Sequence, residues 1–437
     1  MANYLSSTEK EDKEMLQAVG VERFSDLYQD IPFELRNKPL NIPNGKSLQE
    51  VSDEMQALAD KNVNYACIMR GAGAYDHYIP SIVKYLSQRS EFLTAYTPYQ
   101  AELSQGILQS IFEFQTMMCS LTGMDVCNAS VYDGSSAAAE AAFMCIERSK
   151  RTVLVPDNVK PCTIEVIRTY LERRNITVKV LPTNNGLMSI DELGKAITED
   201  TACVYFESPN YFGLIEDCEN VCGTIKQHGA RAIMGCNPMS LAILRTPKDY
   251  GADIAVGDAQ PFGMPISFGG PYLGYIAIAN DKELIRRIPG RVVGETTDKD
   301  GKRAYVLTLR AREQDIRREK ALSNICSNEA HCVLTAAMYL TAMGKQGLRE
   351  VATACTSLAH YAAEEFTKGK ATLQYSGEYF NEFVTVCGTK AEKIVEKCEK
   401  LGILAGLPIG KNEILWCMTE KVRKEDIDKV AEIMRRA

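Results

Sequence analysis

Arg151-Thr-Val-Leu-Val155, then a stretch of helical length and periodicity over 161–174, then Ile176-Thr-Val-Lys-Val180: this alternation of short β-branched runs with a longer amphipathic segment decides the fold. The same kind of run recurs as Thr201-Ala-Cys-Val-Tyr-Phe206, Arg231-Ala-Ile-Met234, Asp253-Ile-Ala-Val256 and Gly274-Tyr-Ile-Ala-Ile-Ala279, with a second helical segment over 217–228. Runs that are apolar at successive positions fit strands covered on both faces, as a mostly parallel sheet requires. Helical crossovers between such strands make right-handed units. The sequence from about 123 to 279 therefore predicts a large α/β domain.

On either side the pattern changes. Up to about residue 64 the chain reads as short helices separated by Pro32, Pro39 and Pro43, beginning at the capping-box pattern Thr8-x-x-Glu11. Such an arm either wraps a neighbouring subunit or caps its own domain. After the charged stretch from Arg310 to Lys320, a long helix runs through Cys332, Ala336 and Tyr339 toward Gly344, and another runs from Leu348 to Phe366. Glu382-Phe-Val-Thr-Val-Cys387, a helix from Ala391 to Leu401, Glu413-Ile-Leu-Trp-Cys417 and a helix from Lys424 follow, the order of a small α+β domain. The expected division is 1–64 as a helical arm, 65–320 as the large domain, and 321–437 as a linking helix with the small domain.

Composition excludes several classes of function. A net charge of −7 over 437 residues leaves no basic footprint for nucleic acid. The fifteen cysteines are scattered, as in reduced cytosolic thiols, and the four histidines stand far apart, so no metal site is expected. No apolar run approaches the ~20 residues that span a bilayer, and no export signal precedes Thr8. A cytoplasmic protein without membrane or nucleic-acid partners is expected.

Ligands of parallel sheets bind beyond the carboxyl ends of the strands. Tyr132-Asp133-Gly134-Ser135-Ser136 precedes an alanine-rich helix whose N-terminus could seat a phosphate, or Ser136 could simply cap that helix. Glu207-Ser208-Pro209-Asn210-Tyr211-Phe212-Gly213 could present Asn210 and Tyr211 to a pocket, or form a proline-asparagine turn. Arg70-Gly71-Ala72-Gly73 lacks the third glycine and the preceding strand of a dinucleotide fingerprint. Tyr96-Thr97-Pro98-Tyr99-Gln100-Ala101-Glu102 gathers two phenols, a hydroxyl and an amide, suited to a polar ligand at an interface or to a helix entry with buried rings. The mixed signs of 310–320 read as a solvated helix with internal ion pairs.

Taken together these segments resemble the first (alpha) subunits of the two-subunit glycine decarboxylases, the P-proteins of the glycine cleavage system. The resemblance is carried by Arg70-Gly71-Ala72-Gly73-Ala74-Tyr75, by Tyr96 through Gly106, by Ser267-Phe268-Gly269-Gly270-Pro271, and by Arg312-Glu313-Gln314-Asp315-Ile316-Arg317-Arg318-Glu319-Lys320 running into Ser323-Asn324-Ile325-Cys326. It implies a fold-type-I pyridoxal-phosphate-dependent transferase-like architecture, with a seven-stranded, mainly parallel sheet and a small C-terminal α+β domain. It also implies a glycine dehydrogenase (aminomethyl-transferring, decarboxylating) that releases the carboxylate as carbon dioxide and passes the aminomethyl group to the lipoyl arm of the H-protein.

Where the lysine-bearing second subunit of that family has His-Lys-Thr-Phe, this chain has Ala259-Gln260-Pro261-Phe262, and no lysine occurs between Asp249 and Asp281. Gln260 at the Schiff-base lysine position has no amine to form the imine. The resemblance thus implies pyridoxal phosphate held covalently by the partner subunit and by no residue of this chain, two copies of each subunit, and no catalytic residue here. Tyr96, Thr97, Tyr99 and Gln100, with Ser323 and Asn324 behind them, are the expected cofactor or substrate contacts at the interface. Two other readings are a catalytically silent scaffold, and an independent enzyme using unbound cofactor; the latter class places a histidine where Gln260 stands.

Overall fold

The computed structural model describes residues 7–36, 41–267, 269, 272–309, 314–321 and 328–436. It divides into two compact units, Met1–Val63 and Asn64–Ala437. The first holds the helices Glu9–Ala18 and Leu48–Ala59 with two short 3-10 turns between them. Thr8 and Glu11 form the expected capping box, each side chain bonded to the other residue's backbone N–H. Large apolar side chains in this unit lie in the open, with Phe33 81% and Leu48 87% exposed.

In the second unit all six runs form strands, joined by a seventh. These are β1 (Val126–Cys127), β2 (Thr152–Pro156), β3 (Thr177–Leu181), β4 (Thr201–Glu207), β5 (Arg231–Gly235), β6 (Ile254–Asp258) and β7 (Gly274–Ile278). They lie in the order β1-β7-β6-β5-β4-β2-β3, with β7 antiparallel to both neighbours and the remaining pairs parallel. Period-two alternation sends each strand's side chains to opposite faces. Leu154, Val204, Phe206, Met234 and Ala255 enter one apolar cluster, while Val153, Val155, Tyr205, Ile233 and Val256 enter another.

Helices cover both faces. On the first side lie α1 (Gln105–Thr122) and α4 (Cys218–Gln227); on the second lie α2 (Gly134–Met144) and α3 (Pro161–Leu171). This is the fold-type-I α/β arrangement, and it explains why the runs carry no polar alternation.

Helix α5 (Asn328–Phe366) is broken at Gly344, whose φ of 59° and ψ of −177° lie outside helical space, so the two expected helices meet at a kink. Beyond it β8 (Thr372–Leu373), β9 (Glu382–Val386), β10 (Leu407–Pro408) and β11 (Glu413–Cys417) form an antiparallel sheet in the order β8-β9-β11-β10. Helices α6 (Ala391–Glu399) and α7 (Lys424–Arg435) complete this smaller domain around Phe366, Phe383 and Trp416. A two-residue strand, Cys67–Ile68, pairs with Ile403–Leu404. A strand thus does precede Arg70, contrary to expectation, but it belongs with the small domain, where Cys67 and Met69 join the core. No described helix is long and apolar enough to cross a membrane.

Candidate active site

Strands β2, β4, β5 and β6 end at one cleft, walled by Lys160, Tyr205, Glu207, Cys236 and Asp258 of the large domain. Asn381 and Glu382 reach it from the small domain, and Ala72, Gly73 and Tyr75 enter from a strap over 70–75. Its free volume is only about 40 Å³, room for no more than a few water molecules.

The cleft is lined by carboxylates that are almost fully employed. Glu207 accepts the Tyr205 hydroxyl at 2.8 Å and the Lys160 backbone N–H at 3.2 Å, with the Lys160 ammonium 4.0 Å away. Glu382 accepts the Ala72 N–H at 2.7 Å and the Tyr75 hydroxyl at 2.8 Å. Asp258 accepts the N–H groups of Gln260 at 2.9 Å and Gly134 at 3.2 Å. Burial raises the Glu382 carboxyl to about 7, although Ala72, Tyr75 and Lys160 pull it down. Burial likewise raises Asp258. For Lys160 burial works downward, but Glu207 and the other carboxylates outweigh it and hold the amine protonated.

Gln260 follows β6 and is fully buried. Its amide oxygen accepts the Tyr75 N–H at 2.9 Å, and its amide nitrogen donates to the Tyr75 carbonyl at 2.9 Å and the Met264 carbonyl at 2.8 Å. One side chain thereby ties the strap to the turn after β6.

The other candidates fall elsewhere. Tyr96, Thr97, Tyr99 and Gln100 form one turn before α1, closed by the Gln100 N–H and the Ser104 hydroxyl donating to the Thr97 carbonyl. None of the four lines the cleft. Tyr96 is 92% exposed, whereas the Tyr99 ring packs against the core under the Arg291 guanidinium at 5.2 Å. Tyr99 thus has the character of a helix-entry ring as well. Ser323 and Asn324 lie outside the described residues, as do 310–313 of the charged stretch; its remainder, 314–320, forms short helical turns.

One loop reading is corrected. Asp133, not Ser136, caps α2, accepting the Ser136 N–H at 2.7 Å. Asn210 and Tyr211 do line the cleft, and Asn210 also makes the turn of the other reading, its amide donating to Gly186 and Glu216 while its oxygen accepts from Phe212 and Leu214. Chain spacing also hid a cluster of His77, Cys355 and Glu420, whose ligating atoms lie within 4.8 Å of one another. Hydrogen bonding accounts for it: His77 Nδ1 meets Glu420 at 2.7 Å and the Cys355 thiol donates to the same oxygen at 3.5 Å.

Against known proteins, the family model described as glycine cleavage system P-protein matches residues 2–434. The chain belongs to that family. Among P-protein relatives, the Geobacillus thermodenitrificans protein named "Probable glycine dehydrogenase (decarboxylating) subunit 1" is 45% identical over 437 residues, covering 98% of this chain and 97% of its own. The crystal structure of glycine decarboxylase (P-protein) of the glycine cleavage system, in inhibitor-bound form, has a TM-score of 0.90 at 36% identity and covers 100% of both chains. C-DES, solved with glycine linked to its PLP cofactor, has a TM-score of 0.62 at 14% identity, covering 87% of this chain and 99% of its own, a likeness of fold alone.

The cofactor of such folds does not fit the cleft of this P-protein chain. Gln260 offers no amine, Lys160 is held charged, and the cleft walled by the strap leaves only about 40 Å³. Lys160 escaped the sequence reading although it follows β2, where a post-strand loop was the signal to follow. Glu382 gave none, since it comes from another domain.

Proposed function

We propose that this chain is the first subunit of a two-subunit glycine dehydrogenase (decarboxylating) and is inactive alone. In this reading a homologous, lysine-bearing second subunit holds the pyridoxal phosphate. That cofactor, when bound there, supplies the electron sink for loss of carbon dioxide from glycine, and the aminomethyl group passes to the lipoyl arm of the H-protein. The observation that carries the reading is Gln260, an amide whose every polar atom is bonded within its own chain.

This chain's contribution is the 96–100 turn. Tyr96 extends a phenol into the open, and Leu103, seven residues further on, is 73% exposed. Across an interface with the second subunit, an amphipathic ring of this kind binds by its face and orients a polar group with its hydroxyl. Thr97, Tyr99 and Gln100 flank it, and Ser323 and Asn324 are further contacts in the same proposal. The apolar side chains of the first unit provide further surface for that subunit. We place the complex in the cytosol, where its thiols remain reduced; the fourteen described cysteines are all unpaired.

The test is kinetic. Replacing Tyr96 by Phe should lower kcat/KM of the assembled complex about two- to tenfold, the worth of one hydrogen bond at roughly 0.5–1.5 kcal/mol, without dissociating it. Unchanged kinetics would remove the turn from the site.

A further inference from the structure

We propose that the cleft at the strand ends of this subunit is an internal brace and not a ligand site: the chain's own 70–75 strap occupies it, clasped by Gln260 and Glu382. Pyridoxal phosphate then has no place here, free or imine-linked, even with a lysine restored at position 260. This goes further than the missing amine, because it makes Gln260 a structural clasp whose replacement does not recreate a second cofactor site.

Three features meet at the strap. Gln260 binds both the N–H and the carbonyl of Tyr75, so this stretch of backbone is held as one strand holds another. Glu382, arriving from β9, binds the Ala72 N–H and the Tyr75 hydroxyl, which fastens the strap to the small domain as well. The fit leaves no slack: a methyl group on Gly71 would lie 2.6 Å from Glu382 Oε1 and 2.7 Å from Cys417 Sγ. Contacts under 3.0 Å between such atoms require the wall to move.

The seat for an anion is taken too. A helix N-terminus that follows a strand is a natural phosphate site, because its first N–H groups lack helical partners. At α2 the Gly134 N–H already donates to Asp258 and the Ser136 N–H to Asp133. An incoming phosphate would meet a carboxylate at each of these two donors. The amine among the cleft's lining residues, Lys160, faces Glu207 and is no nucleophile while protonated.

The experiment uses the full-length chain carrying Gln260→Lys, incubated with pyridoxal phosphate, reduced with borohydride and mapped by mass spectrometry. The brace predicts no phosphopyridoxyl group at position 260 or 160. One group per chain at either position would overturn it. If the variant does not fold, the unmodified chain decides by amide exchange. The Ala72 and Tyr75 amides should exchange as slowly as those of the central strands, with no change on adding pyridoxal phosphate. Exchange at the rate of the exposed 96–103 turn, or a change on adding cofactor, would refute the brace. The interface assignment of Tyr96 stands or falls separately, on kinetics.

Discussion

Glu382 joins two donors from the strap to a carboxyl that burial raises to about 7. Because the folded chain binds this proton more tightly than the unfolded one, the stabilisation is complete below about pH 4.5 and is lost as pH rises through about 7. Glu382→Gln keeps the size and removes the proton. The wild-type chain should therefore lose stability relative to the Gln variant between pH 5 and 8, by up to roughly 3 kcal/mol on the conversion of 1.36 kcal/mol per pH unit. Denaturant titrations of both proteins across that range check it, and parallel pH profiles would dismiss Glu382 as the titrating group. At this scale Gln260 was legible in the sequence, because its meaning is an absent functional group. Its clasp on Tyr75 was not, since the two residues are separated by 185 positions and only the fold brings them together.

Strands were the most legible elements, because burial on both faces leaves a run such as 202–206 without charged interruption and its bounds follow from the flanking turns. The edge strand β1 escaped notice, since two residues hold no periodicity. The antiparallel sense of β7 is likewise invisible in its composition, which resembles that of its parallel neighbours. The break in α5 could be read from glycine alone: Gly344, at φ 59° and ψ −177°, occupies a region essentially closed to side chains. No atom outside its local chain lies within 4 Å of a Cβ placed there, so the cost of Gly344→Ala is conformational and not steric. It should amount to roughly 1–3 kcal/mol by chemical denaturation. An unchanged midpoint would mean that the helix straightens without loss.

The three apolar clusters all lie within residues 67–434, in the second unit. The first unit exposes Phe33, Leu35 and Leu48 to solvent, a surface that on the proposed reading awaits the second subunit. Deleting residues 1–63 should therefore leave the far-ultraviolet circular dichroism and melting of the remaining chain intact while abolishing co-purification with that subunit. A truncated chain that still assembles would assign the arm to its own subunit. What the whole molecule proposes is a division of labour, with cofactor on one subunit and completing groups on this one. Borohydride reduction in the presence of pyridoxal phosphate tests it most directly, on this chain alone and then on the assembled complex, with the adduct located by peptide mapping. The account predicts a single adduct on the second subunit's lysine and none on this chain in either sample; a stable adduct on this chain alone would contradict it.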